Sequence, residues 1–309
     1  MRNIININEN WKFIREDAGL PAAYPAEWST VNLPHTWNAV DGNDGNGSYY
    51  RGKCWYAKTF ATPAQPLAGG RVFVEFMGAN SEATVYLNGE KVIYHEGGYS
   101  TFRADITDLC KAEGENLLVV AVANAANDYV YPQNADFTFY GGLYRDVNFI
   151  ETEQAHFDLL LDGTNAVFVT PHNVGKTRVD LFPVNADGCT LKVELKGAEG
   201  NVVGTAVTDA CEHAHVLIDV KEPHLWNGLA DPYCYTCEAS VVDGETVTDT
   251  VAVTYGYRSF HVDVNTGFCL NGKSMPLRGV SRHQDRKDMG WAISEKEHDE
   301  DLAIIKELG

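Results

Sequence analysis

Alternation of apolar and polar residues over short runs dominates the chain up to about residue 257. Successive side chains of a strand point to opposite faces, so this rhythm predicts half-buried strands and not helices. RVFVEF (71–76) precedes EATVYLNGEKVIYH (82–95), where Asn88-Gly89 joins two alternating halves. Both residues tolerate the positive φ of a type I′ turn, so a hairpin is expected there. Further strands are predicted at NLLVVAVAN (116–124) and LYRDVNFIE (143–151).

Beyond residue 152 the turn signals crowd together, and about seven short strands fit before residue 257. That density predicts an immunoglobulin-like sandwich over 153–257, although the Cys–Trp–Cys core of antibody domains is absent. The longer segment 1–152 suits a jelly-roll sandwich. Near residue 258 the pattern changes. Asn271-Gly272 marks another hairpin, and Leu277–His283 reads as a short buried strand with polar residues at its C-terminal end. Ser294 with Glu297 makes a capping box, and His298, Leu302, Ile305 and Leu308 then recur at helical spacing, with Gly309 just past the helix end. This is one β–α unit with a loop over 284–293. A parallel strand needs neighbours and an apolar helix stripe needs a sheet. Residues 258–309 are therefore expected to be an incomplete third domain, and the chain the front part of a larger protein.

Composition narrows the function classes. The 309 residues are 44% hydrophobic and 22% charged, which is ordinary for a globular protein with real cores. A net charge of −19 argues against nucleic acid and anionic membrane as partners. No segment has the apolar length of a membrane span, and the N-terminus MRNIININENWKF lacks a signal-peptide pattern. The seven cysteines (54, 110, 189, 211, 234, 237 and 269) are odd in number and scattered. Cys234 and Cys237 form a C-x-x-C inside a strand-like run, where positions i and i+3 face opposite ways. Reduced, buried thiols in a cytoplasmic protein are expected.

Three stretches could carry chemistry. Arg282, His283, Gln284 and Asp285 lie where a βα loop presents catalytic groups; a solvated Arg282–Asp285 pair with His283 capping the loop is the structural alternative. In ADFTFYGGLYRDV (135–147), Asp136 beside aromatics suits a sugar, whose C–H face stacks while its hydroxyls donate to the carboxylate. A Tyr/Phe-rich sandwich edge with a surface aspartate explains it equally well. The Gly/Asn/Asp-dense loop within 33–60 could present Asn43, Asp44 or Asn46 to a ligand, or be a long turn. There is no H-E-x-x-H, P-loop, G-x-S-x-G or dinucleotide fingerprint, and the histidines do not cluster at metal-ligand spacing.

Taken in order, NLPHTW, YYRGKCWYAKTF, VYLNGEKV, DFTFYGGLYRDV, LWNG with DPYCY, and GYRSFHVDVNTGFCLNGKSMPLRGVSRHQD resemble glycoside hydrolase family 2, and within it the β-galactosidases. The resemblance implies a mainly β chain: a jelly-roll sugar-binding domain (1–152), an immunoglobulin-like sandwich (153–257) and the first β–α unit of a (β/α)8 barrel (258–309). It implies a retaining exo-β-galactosidase acting on terminal β-galactosides. β-Glucuronidase and β-mannosidase are the alternatives within the family, and a non-catalytic carbohydrate-binding module is the alternative outside it. His283 matches the histidine lining the sugar subsite. Asp136 matches an aspartate that contacts sugar hydroxyls and, in some relatives, sodium. Asn43 or Asp44 matches a loop residue near the substrate. Ser281 stands where many relatives have asparagine. The family's acid/base and nucleophile glutamates lie on later barrel strands, so no catalytic residue is expected here and the chain alone is expected not to turn over. Magnesium and sodium belong to the complete enzyme, with no cofactor expected within this chain. The implied partner is a carbohydrate, and assembly into a homo-oligomer is left open.

Overall fold

The computed structural model describes residues 2–42, 48–132, 134–172 and 174–309. The described chain is mainly β and divides into two compact units. One comprises Asn3–Glu151 together with Arg282–Gly309; the other comprises Thr152–Ser281 with Arg2.

The first unit is built on ten strands: β1 (Asn3–Asn6), β2 (Trp11–Ile14), β3 (Ser29–Val31), β4 (Lys53–Ala61), β5 (Arg71–Phe76), β6 (Glu82–Leu87), β7 (Glu90–Glu96), β8 (Phe102–Asp105), β9 (Glu115–Ala123) and β10 (Val147–Thr152). They form two antiparallel sheets, ordered β1-β10-β5-β8 and β3-β2-β4-β9-β6-β7. The inner faces share one core: Val72, Val74 and Phe76 from the first sheet meet Trp11, Tyr56, Val85, Leu118 and Val120 from the second. Strand β4 is buried on both faces. Cys54 and Tyr56 enter this core, while Trp55 and Ala57 join Trp28, Val119 and Ala121 under a loop on the outer face. That is why its sequence reads as a continuous apolar run. The predicted hairpin at Asn88-Gly89 is present, with φ of 52° and 89° at its two residues.

In the second unit, β11 (His156–Phe157) pairs with β14 (Pro183–Val184). Two further sheets follow. One is ordered β12 (Val167–Pro171), β13 (Lys176–Leu181), β17 (Ala214–Asp219); the other is β16 (Val202–Asp209), β15 (Thr190–Lys196), β18 (Tyr235–Asp243), β19 (Thr246–Tyr255). Leu191, Val193 and Leu195 alternate inward beside Cys237, Ala239 and Val241, and a single core joins both sheets. Their outward neighbours are charged, with Lys196 bridging to Glu238 at 2.9 Å. No disulfide forms. Cys54, Cys189, Cys237 and Cys269 are buried, Cys110 and Cys234 partly so, and Cys211 is exposed, against the expectation that all would be buried. Arg2 is tied to the buried carboxylate of Asp249 at 2.8 Å, which also accepts the Phe157 N–H.

The hairpin predicted at Asn271-Gly272 joins β21 (Gly267–Leu270) to β22 (Lys273–Ser274), alongside β20 (Phe260–Asp263). The buried strand expected at Leu277–His283 is not formed. The segment has no ladder partner among the described residues, and Leu277 and Val280 are 70% and 67% exposed. A strand is stabilised by pairing and one-sided burial, and neither is supplied here.

One helix follows. It is numbered α2 (Glu295–Glu307), after the short α1 (Ala64–Leu67). The Ser294 backbone N–H donates to Glu297 Oε2 at 2.7 Å, completing the predicted capping box, and Gly309 closes the C-terminal end with φ of 86°. Its expected stripe is buried only in part: His298 and Ile305 face inward together with Asp301, whereas Leu302 and Leu308 are exposed.

Candidate active-site cleft

Residues 124–146, between β9 and β10, cross the mouth of the first unit and hold one candidate site. Three buried asparagines fix their path. Asn124 Nδ2 donates to the Phe139 carbonyl at 2.8 Å, Asn80 Nδ2 to the Tyr140 carbonyl at 2.7 Å, and the Gly141 N–H donates to Asn38 Oδ1 at 2.9 Å. Hydrogen-bonded buried amides of this kind specify one backbone path, because leaving any of them unpaired is costly. The two glycines of the F-Y-G-G run are packing requirements. Gly142 has φ of 137°, and a Cβ there would lie 2.3 Å from the His35 carbonyl oxygen.

The loop 284–293 docks on this surface. Trp291 sits among Tyr99, Tyr140 and Tyr144, with ring centroids 5.6, 5.4 and 5.3 Å away. The Tyr140 hydroxyl donates to Asp285 Oδ2 at 3.0 Å. The result is a cleft of about 420 Å³ within the first unit. Its apolar walls are Tyr99, Phe137, Tyr144, Trp291 and Ile293; its polar ones are Arg145, Arg282, His283, Gln284, Asp285 and His298. Burial pushes the Tyr144 phenol up to about 12, so it stays protonated and donates to the Gly98 carbonyl.

Charge in the cleft is unequal. Arg282 is committed to Asp301 of α2, through Nε at 2.7 Å, and its Nη1 donates to His298 Nδ1 at 3.0 Å. Arg145 donates only through Nη1, to the carbonyls of Met77 and Tyr99 at 3.2 and 3.0 Å, and its guanidinium stacks on Tyr144. It has no carboxylate partner among the described residues. Among the described residues Asp285 is the one acid in the lining.

Of the residues singled out from sequence, His283, Arg282, Gln284 and Asp285 all line the cleft, and Arg282 pairs with Asp301 and not with Asp285. Asp136 is exposed and does not itself line it; the adjacent Phe137 does. Asn43, Asp44 and Asn46 lie outside the described residues. His213 does not line this cleft; it binds Asp180 at 2.9 Å and stacks on Phe182. Sequence reasoning did not single out Tyr99, Tyr144, Trp291, His298 or Asp301, which come together from segments far apart in the chain. Among the described residues no three His, Cys, Asp or Glu side chains converge as a metal site.

A docked loop of the first unit thus brings an R-H-x-D run against an aromatic wall. Residues 4–153 match the sugar-binding domain of glycosyl hydrolases family 2, and residues 165–258 match a second domain of that family. The chain belongs to glycosyl hydrolase family 2.

A β-glucuronidase of Bacteroides fragilis is 35% identical over all of this chain, which spans 45% of that protein. The β-galactosidase BoGH2A of Bacteroides ovatus is 30% identical over 98% of the chain, which spans 37% of that protein. The crystal structure of an FMN-binding β-glucuronidase from Facaelibacterium prausnitzii L2-6 superposes with a TM-score of 0.91 at 43% identity, covering all of this chain and 47% of that one. The chain thus spans less than half the length of these relatives. No helix among the described residues is long and apolar enough to cross a membrane.

Proposed function

We propose that this chain is the sugar-gripping portion of a retaining family 2 glycosidase whose preferred substrates are β-glucuronides. The carrying observation is the cleft itself, where an aromatic wall, His283 and Arg145, which has no acidic partner among the described residues, converge. Aromatic faces suit the C–H surface of a pyranose, and Arg145 suits its carboxylate, as a guanidinium matches a carboxylate fork. β-Galactosidase was the first expectation from the sequence, and the β-glucuronidase names among the relatives favour the alternative. A β-galactoside remains the second reading, favoured by the Bacteroides ovatus relative.

In this reading His283 and Asp136 hold glycone hydroxyls, and the displacement is performed by residues outside this chain. A retaining glycosidase needs two carboxyl groups about 5–5.5 Å apart. Asp285, already bonded to Tyr140, is the only acid lining the cleft among the described residues, which supports an inactive 309-residue chain. A reducing, cytoplasmic compartment is part of the proposal, supported by seven unbonded cysteines.

The test compares nitrophenyl β-glucuronide and β-galactoside hydrolysis by a longer form carrying this chain at its N-terminus. Hydrolysis of the glucuronide, lowered in Arg145→Gln by about tenfold or more in kcat/KM, is the expected result. Turnover of the galactoside alone would replace it with the second reading, and comparable hydrolysis by the 309-residue chain would remove the claim of inactivity.

A further inference from the structure

We propose that Asp301 is the positioning residue of this cleft, one carboxylate on α2 that clamps both ends of the Arg282–Arg286 segment and so sets the pose of His283, Gln284 and Asp285. The inference rests on the reading of the cleft as a sugar site. Oδ2 of Asp301 accepts Arg282 Nε at 2.7 Å and also its Nη2, and Oδ1 accepts Arg286 Nη2 at 2.5 Å. The three residues between these arginines all line the cleft. Arg282 gives two donors to one oxygen of Asp301 and Arg286 gives one donor to the other, so both ends of the intervening backbone are held by charge-assisted bonds. The Asp301 carboxyl is held below the usual carboxylate range by its hydrogen bonds from Arg286 and then Arg282. Arg286 is further fixed by the Glu297 carbonyl at 3.0 Å and Glu300 at 2.7 Å.

The clamp reaches one more group. Arg282 Nη1 can only donate, so His298 Nδ1 must accept and the ring proton resides on Nε2. His298 lines the cleft, so Asp301, by orienting Arg282, also decides which face of that imidazole is a donor. No titration or strain is involved, only the geometry of two arginines on one carboxylate. An asparagine at 301 keeps one acceptor oxygen and turns an NH2 toward a guanidinium, so it can hold one arginine but not both.

The experiment uses the whole 309-residue chain with nitrogen-labelled histidines. Long-range proton–nitrogen spectra report which ring nitrogen of His298 is protonated, and methyl β-D-glucuronide is titrated while following the Trp291 indole. Wild type should show the His298 proton on Nε2. Asp301→Asn should lose that fixed tautomer, move the His283 signals and weaken the glucuronide about tenfold, the value of one charge-assisted bond. Asp299→Asn, which neutralises an exposed acid of the same helix, should change none of these. If Asp301→Asn does not fold, Arg282→Lys keeps the charge, loses the fork and should give the same signature. A His298 proton on Nδ1 in wild type, unchanged His298 and His283 signals in the variants, or an equal effect of Asp299→Asn would overturn the proposal. If wild type ignores the glucuronide, the sugar reading fails, while the imidazole signals by themselves support or overturn the clamp.

Discussion

Replacing Trp291 with alanine should release residues 282–309 from the first sandwich without unfolding the sandwich. The Arg282 and Arg286 pairs with Asp301 lie within the released segment, so they cannot hold it down. What fastens it is Trp291 among three tyrosines, Ile293 at 8% exposure, and the Tyr140–Asp285 hydrogen bond. Burying a tryptophan fully is worth about 3–5 kcal/mol against alanine, and aromatic pairs add about 0.5–1.5 kcal/mol each. Trp291 is only half-buried, so about 2–3 kcal/mol is the reasonable loss, which raises the open population roughly 30- to 150-fold. Once open, a helix of thirteen residues is marginal in water. Amide exchange of α2, or proteolysis within 282–309, should therefore accelerate by that factor. The main core contains no residue beyond Phe149, so thermal unfolding of the sandwich should hardly move. Unchanged exchange in α2 would show that Trp291 does not anchor the segment. A matching fall in sandwich stability would show that the segment does not open separately.

Gly142→Ala should be among the most damaging single changes, because its Cβ meets the His35 carbonyl at 2.3 Å in a backbone region closed to alanine. A loss of about 3 kcal/mol or more is expected in denaturant unfolding, whereas Gly114→Ala, at φ of 85° but with open space around it, should cost only the backbone strain of about 1–2 kcal/mol. Acid should weaken the first unit through His35, whose imidazole burial holds down to about 4 from 6.5. The unfolded chain binds this proton first, so stability rises with pH between about 4 and 6.5 and falls as pH drops through that window, by at most about 3 kcal/mol. Denaturant midpoints across pH 4–7 for wild type and a His35 variant should converge at the acid end; parallel curves would assign the acid sensitivity elsewhere.

How much of this was legible in the sequence depended on whether the controlling interaction is local. Asn88-Gly89 and Asn271-Gly272 announced their hairpins because positive φ is a property of those residues themselves. The Ser294–Glu297 cap was equally local. Leu277–His283 misled because an apolar run records only the wish to be buried. Whether a ladder exists is decided by other strands, and none pairs with it among the described residues. The helix stripe failed in part for a related reason. The helical spacing of His298, Leu302, Ile305 and Leu308 is real and His298 and Ile305 face inward, but Asp301 on that side receives two arginines, and Leu302 and Leu308 are left exposed. His283 could be chosen from its neighbours in the chain. Trp291 could not, because its partners at 99, 140 and 144 reach it only through the docking of one distant loop on another. The residues that build the cleft wall are thus the ones a linear reading is least able to see, and the ones whose replacement separates holding the sugar site together from touching the sugar.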